Sequence, residues 1–456
     1  MTSLPLLETP SFVTEPAYSV GGLGGPGTRL LSGPPPSEGA ESLESHETRW
    51  GRLDPWSSRD TIRDAIRSSG LDGRGGGGFP LARKLDTAIL APGRPVVVVN
   101  ASESEPASRK DRTLVTYRPH LVLDGAAAVA SVVGADRVIV HFHRGSVTAG
   151  TSLAHAVAQR RLAGRSDPPW QLSVGPDNYV SGEASAIAAL LEGGEARPHF
   201  SAVPMAHVGP SGRPTVVNNA ETMAQVMLVI RGALSGGLTD SVWPGPAQSG
   251  AATPGSRLFT LVGAVESPGR VIEVMGRATL GEVVAHAAVT APPHAVLVGG
   301  YAGTWIEGQR AWSTFLDGEG LDRVEASLGC GLIGVLPHGR CGLEETARLV
   351  GYLAGETAGQ CGPCVHGLPR LARACAALAE GRMRRRGVRQ LLALAAVVDG
   401  SGACSHPDGV VRLIRSALRT FEADVDAHLA GRVCTTVTHP AVFPVPSVEP
   451  GTREWQ

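Results

Sequence analysis

The chain has 456 residues, with 41 Lys and Arg against 42 Asp and Glu, a formal net charge of −1 at pH 7. That length supports two to four domains, and the balanced charge excludes a global field directed at nucleic acid or an anionic membrane surface. Aromatic residues make up only 4 %, while Gly (59) and Pro (34) abound, so loops and backbone-lined sites packed with Ala, Val and Leu are expected.

Residues 1–50 include "GGLGGPG" and "SGPPPSEGAESLESHE". They offer few apolar positions to offset the entropy of ordering, so a flexible arm is predicted. The start "MTSLPLLETPSF" lacks the charged opening and long apolar core of a secretory signal, and seven cysteines are sparse and odd in number. Both features predict a cytoplasmic, reducing location. Uncharged stretches such as 125–135 and 391–398 fall short of the ~18 residues of a membrane span, so membrane association would need a partner protein.

From Asp60, "DTIRDAIRSSG" predicts a helix capped by that Asp, apolar at Ile62, Ala65 and Ile66, and ended by Gly70. "GLDGRGGGGFPLARK" follows, with four glycines between Arg74 and Lys84. Such a run lets peptide N–H groups approach a phosphate or a flat ring, but it also serves as a plain flexible turn, and it is neither a dinucleotide fingerprint nor a phosphate loop. "RPVVVVNAS" and "DRVIVHF" read as buried parallel strands with an Ala-rich helix, Leu121 to Val133, between them. Directly after the first strand come Asn100, Glu103, Glu105, Lys110 and Asp111, at the end where open α/β sheets take their ligands. "YVSGEASAIAALLEGG" then sets Gly182 and Glu183 ahead of an apolar helix, and "GRPTVVNNAET" supplies Asn218 and Asn219.

These patterns divide the chain into an α/β layer over 51–232, a Gly/Pro/Ser linker over 233–255, a β-rich module with a hairpin over 256–337, a helical bundle over 338–435 and a tail over 436–456. The basic run "GRMRRRG" reads as a solvated helix end, not a nucleic-acid patch.

The order "GRGGGGFP…K", "NASESEP…KDR", "YVSGE", "GRPTVVNNAET", a β-rich module and "GQCGPCVHG" resembles the flavin-bearing, NADH-oxidising subunit of respiratory complex I and its relatives in soluble hydrogenases and formate dehydrogenases. The resemblance runs over roughly residues 55 to 430. It implies a Rossmann-like layer holding FMN, a ubiquitin-like (β-grasp) module and a helical domain with a [4Fe–4S] cluster, with hydride passing from NADH to flavin and single electrons onward. The implied FMN contacts are Gly73, Arg74, Gly75, Gly76, Lys84, Asn100, Glu103, Gly182, Glu183, Asn218 and Asn219. Lys84 would stabilise anionic flavin and Glu183 would position the nicotinamide. Phe79 and Glu105 match NADH contacts, whereas Ser102, Ala184, Leu85, Thr87 and the segment Ser201 to Met205 depart from the family's charged or aromatic residues.

The implied cluster ligands are Cys361, Cys364 and Cys404, with Ala358 where the family carries a further Cys. The choices are a cube with another fourth ligand, a three-iron cluster, or no cluster, and with His366 or His406 the same thiols would suit zinc. Cys330, Cys341, Cys375 and Cys434 read as packing residues. The implied partners are NAD(P)H and either a thioredoxin-like [2Fe–2S] protein or a ferredoxin-type acceptor. The expected function is a flavoprotein oxidoreductase. The alternative is a docking or assembly subunit that kept the fold and lost the NADH and cluster chemistry.

Overall fold

The computed structural model of the chain describes residues 18–23, 29–56, 59–234, 255–432, 434, 441–446 and 455. Most of the expected linker and residues 1–17 of the expected arm lie outside them.

Four short β-branched runs form a parallel sheet: β2 (Val96–Asn100), β3 (Val138–His143), β4 (Trp170–Gly175) and β5 (Thr215–Asn219), in the order β4-β3-β2-β5. Val97, Val98 and Val99 of β2 have no exposed surface, because helices and loops cover both faces. The chain leaves β2 for β3 on one side and later returns to β5 on the other. The carboxyl ends of β2 and β5 therefore flank a topological switch point, where α/β sheets open a crevice. The register brings Asn100 beside Asn219 at that point.

Helix α5 (Pro119–Val133) makes the β2-to-β3 crossover and is buried along its whole length. It crosses α8 (Ala220–Leu234) so closely at Gly125 that an added Cβ would overlap the Met223 carbonyl. Helix α2 (Arg59–Ser69) begins one residue before Asp60, so this Asp sits in the first turn and is not the cap; Gly70, at φ +64°, ends the helix as expected.

The expected arm is structured over much of its length. Strand β1 (Tyr18–Leu23) pairs in parallel with β7 (Arg270–Met275). Leu30 and Leu31 are buried, and the N–H groups of Arg29, Leu30 and Leu31 donate to the Glu273 carboxylate at 2.8, 3.1 and 3.2 Å. Composition could not reveal this, because the buried acceptor that needs those donors is more than 240 residues away. Helix α1 (Leu43–Trp50) is capped by Ser42 and anchored by His46, whose Nε2 lies 3.0 Å from Asp124 in α5.

The second sheet is mixed, in the order β1-β7-β6-β10-β8-β9, with β6 (Ser256–Gly263), β8 (Pro293–Val298), β9 (Thr304–Glu307) and β10 (Leu332–Pro337). β6 and β7 form the antiparallel hairpin, and β10 runs parallel to β6 and antiparallel to β8. A Thr279/Glu282 capping box starts the Leu280–His286 helix after the hairpin.

The C-terminal part folds into the helices Gly342–Gly355, Leu368–Ala379, Arg385–Val398, His406–Thr420 and Glu422–Leu429. Leu343, Val350, Leu353, Leu371, Leu391 and Val410 are buried at the spacing the sequence shows. The tail is not wholly free: Phe443 is fully buried and its carbonyl accepts from Arg348 at 2.6 Å. Among the described residues no helix is long and apolar enough to cross a membrane.

Candidate functional site

A cavity of about 430 Å³ opens at the carboxyl ends of β2 and β5. Three parts of the chain wall it: the α/β layer, the Gly299 and Gly329–Cys330 turns of the mixed sheet, and the Cys404–His406 segment at the start of the His406–Thr420 helix.

The glycine loop is pinned at its base by a bridge between Asp72 and Pro80, and the Gly73 N–H donates to the Phe79 carbonyl at 3.0 Å. Gly75, Gly76 and Gly77 then face the cavity. Gly76 has φ +113°, a conformation other residues avoid, and a Cβ on Gly75 would lie 3.1 Å from that of Asn219. Across the cavity a Cβ on Gly182 would overlap the Ser104 hydroxyl, so bare backbone lines that wall too.

Eight of the implied FMN and NADH contacts meet here: Gly75, Gly76, Asn100, Glu103, Glu105, Gly182, Glu183 and Asn219. Several already have partners. Asn100 donates to the Gly182 carbonyl at 2.8 Å, tying the strand end to the second loop. Glu103, at φ +42°, accepts from the N–H groups of Asp111 and Arg112 at 3.1 and 2.8 Å, and so caps α4 (Lys110–Tyr117). Glu183 is the N-cap of α7 (Ala184–Leu191), accepting from the N–H of Ser185 at 2.8 Å and from its hydroxyl.

The remaining five stand back from the cavity. Gly73 lies in the pinned base. Arg74 is buried, with Nη1 2.9 Å from Asp72. Lys84 donates to the Val217 carbonyl at 2.8 Å and to Asn218 Oδ1 at 2.9 Å, both on β5. Burial with only neutral oxygens as acceptors lowers the Lys84 ammonium to about 8. The Asn218 amide nitrogen is buried with no partner among the described residues, and Phe79 is half-exposed on the loop.

Further charge comes from Lys110 and Asp111, which line the cavity, and from Glu221 beside them. Lys110 lies 3.0 Å from Asp111 and 2.8 Å from Glu221, one cation between two buried carboxylates. Burial lifts Asp111 to about 6 even beside that lysine. Glu105 accepts from the Tyr301 N–H at 2.9 Å and the Tyr179 hydroxyl at 3.3 Å, yet burial raises it to about 7. Tyr179, the first residue of the "YVSGE" motif, Cys330, which the sequence suggested only packs, and Arg412, which no motif announced, also line the cavity. Glu221 could have been found, since it follows the Asn218–Asn219 pair by two residues.

A second cavity of about 360 Å³ shares Glu183 with the first. Its lining includes Ala184, Ser201, Val203, Pro204 and Met205, all named in the sequence analysis, together with Phe200, which is 75 % exposed.

The thiols of Cys361, Cys364 and Cys404 lie around the turn Pro363–Gly367 and the loop before the His406–Thr420 helix. Burial raises Cys361, but the backbone N–H groups of Ala403 and Cys364 outweigh it and leave the thiol lowered. Burial pushes Cys364 up to about 12. Ala358 is buried, and His406 Nε2 lies 2.9 Å from the Leu353 carbonyl. Cys341 and Cys434 do not merely pack, as the sequence suggested: they converge on His428, with the three ligand atoms within 4.8 Å of one another. Among the described residues no other His, Cys, Asp or Glu group gathers so tightly. The two cysteines read as packing because their meeting depends on the fold.

Residues 66–228 match the Nuo51 FMN-binding domain, and residues 344–428 match the NADH-ubiquinone oxidoreductase-F iron-sulfur binding region. The chain is 30 % identical over 393 residues to the second F-type subunit of the NADH-quinone oxidoreductases of Rhizobium meliloti (strain 1021), covering 82 % of this chain and 90 % of that one. It belongs to the family of NADH-quinone oxidoreductase F-type subunits. The F-type relative from Rhodobacter capsulatus is 27 % identical over 389 residues, covering 82 % of this chain and 88 % of its own. A chain of an NAD+-reducing [NiFe]-hydrogenase, solved in the H2-reduced state, superposes with a TM-score of 0.74 at 26 % identity, over 82 % of this F-type chain and 64 % of the hydrogenase chain. The FMN-domain match and the iron-sulfur-region match both contribute residues to the first cavity, Asn100 and Gly182 from one and Cys404 from the other.

Proposed function

We propose that this chain is the FMN-bearing electron-transfer subunit of an oxidoreductase, taking reducing equivalents from a nicotinamide dinucleotide and passing electrons through an iron–sulfur centre to a partner protein. The observation that carries the reading is the shared cavity: a glycine-lined crevice at a strand switch point whose opposite wall includes Cys404. We read the parallel layer as Rossmann-like and the mixed sheet, whose hairpin, helix and parallel last strand follow in that order, as a β-grasp module.

The cavity fits FMN in size, in its backbone cradle and in the buried Ser104 hydroxyl, which has no partner among the described residues. Gly75, Gly76, Gly182, Asn100, Glu103 and Asn219 would hold it, and Lys110 is the lysine in the cavity wall. Bound FMN supplies the conversion between two-electron hydride chemistry and single-electron transfer. Lys84 acts on this site through Asn218, as a positioning residue. Glu183, held rigid by capping α7, stands between the two cavities and orients the dinucleotide. Phe200 offers an exposed ring for stacking in the second cavity, where the lysine and aromatic of the family pattern are missing.

The donor set for iron is three cysteines, Cys361, Cys364 and Cys404, so the cluster is either a cube with a non-cysteine fourth ligand or a three-iron form. A thioredoxin-like [2Fe–2S] protein or a ferredoxin is the matching class of acceptor. The second reading, a docking subunit without turnover, is favoured by Ala358 and by the Ala184 to Met205 departures.

Anaerobic purification with excess FMN, followed by NADH, NADPH and then a reduced ferredoxin, separates these readings. A flavin band near ~450 nm that bleaches with a nicotinamide is expected. A yellow protein bleached only by ferredoxin replaces the donor. Material that never takes up FMN removes the redox reading altogether.

A further inference from the structure

We propose that Cys341, His428 and Cys434 form a structural zinc site that pins the segment after the last helix to the start of the Gly342–Gly355 helix. The trio lies outside the cavity and the Cys361, Cys364 and Cys404 set, and the inference does not depend on the flavin reading.

Three geometric facts support it. His428 is almost fully buried, and its Nδ1 lies 3.2 Å from the Leu378 carbonyl. A carbonyl only accepts, so Nδ1 carries the proton and Nε2 keeps its lone pair, the tautomer a metal-ligating histidine needs. That Nε2 faces both sulfurs, 3.6 Å from Cys341 Sγ and 3.3 Å from Cys434 Sγ. Zn–S bonds of ~2.3 Å and a Zn–N bond of ~2.0 Å at a tetrahedral angle separate S and N by about 3.5 Å, so little movement would seat the ion.

Cys341 is the N-cap residue of its helix, the end at which the helix dipole favours an anionic ligand once a metal binds. The Cys434 N–H also lies 3.2 Å from Nε2 and holds that lone pair until a metal takes it. Zinc would displace the two thiol protons to solvent and bind two thiolates and a neutral imidazole. Cys434 is half-buried, so water can complete the tetrahedron.

The mechanical role follows from the chain path. Beyond Cys434, the described residues 441–446 return over the same helix: the Val442 N–H donates to Glu345 at 2.8 Å, and Phe443 fills the core beside Trp305. A metal at Cys434 would hold the chain to the bundle ahead of that return.

The test uses the full chain, purified without chelator, with zinc counted by mass spectrometry and its surroundings read by X-ray absorption. The expected result is about one zinc per chain with two sulfurs at ~2.3 Å and nitrogen or oxygen in the remaining positions. Cys434→Ser is expected to weaken zinc binding at least tenfold while leaving FMN uptake unchanged, and chelation of the unmutated chain is expected to lower its Tm. Absence of zinc from protein supplied with it overturns the proposal. So does a Cys341–Cys434 disulfide in intact mass, or a zinc with three sulfurs, which would belong to Cys361, Cys364 and Cys404. Because metal content is the readout, each of these failures leaves the flavin reading untouched.

Discussion

Glu105 carries the clearest electrostatic signature at the site. Its folded-state pKa of about 7 lies above the ordinary carboxylate value because burial penalises its charge more than the hydrogen bonds from Tyr301, Tyr179 and Ala107 favour it. The folded chain thus holds a proton that the unfolded chain has released between pH 4.5 and about 7, and stability falls as pH rises through that window. Glu105→Gln keeps an acceptor for Tyr301 and Tyr179 and removes the charge. Thermal melts are expected to show a flatter profile between pH 5 and 7, with a gain on the order of 2 kcal/mol at pH 8; an unchanged profile would place the titration elsewhere. Phe200 provides a second test at this scale. If its ring stacks on the dinucleotide, Phe200→Ala raises KM for NADH about fivefold to tenfold with kcat nearly constant, since stacking is worth ~1 kcal/mol.

Capping links the site to its elements. Glu103 reaches the cavity and, with the same carboxylate, satisfies two N–H groups at the start of α4, which carries Lys110 and Asp111. Glu103→Ala is expected to lose about 1–2 kcal/mol of stability in urea titration and to weaken FMN binding as well, because Lys110 moves with the helix start. At the crossing of α5 and α8 the limit is steric. Gly125→Val would drive side-chain atoms into the Met223 carbonyl, and a loss above about 3 kcal/mol, or failure to recover soluble protein, is expected. If that variant melts like the parent, the two helices are not packed as described.

At the scale of the whole molecule, the cavity exists only because three parts of the chain close around it. A ligand bound there stabilises all three together, so FMN at a hundredfold excess over its Kd should add about 2.7 kcal/mol and raise one common thermal transition. Two transitions, with only one moved by FMN, would show that the helical part does not complete the site. The same closure explains why the charged groups beside the cavity come from distant points: Lys110 and Asp111 follow β2, Glu221 follows β5, and they meet only at the switch point.

Local chemistry is what could be read without coordinates. The β-branched run before Asn100, the glycine loop, the Gly182–Glu183 turn and the helical spacing after residue 338 each depend on near neighbours, and their order carried the family resemblance. Long-range pairing is what could not. The 29–31 segment folds because Glu273 needs its amides, Phe443 is buried because the bundle offers it a slot, and Lys84 finds its acceptors, Val217 and Asn218, 133 and 134 residues further along the chain. Cys341 and Cys434 looked like filler in the sequence, and only the tertiary structure sets both beside His428. A residue's conformational preference is set within a few positions of it, whereas its partners are selected by how the whole chain packs.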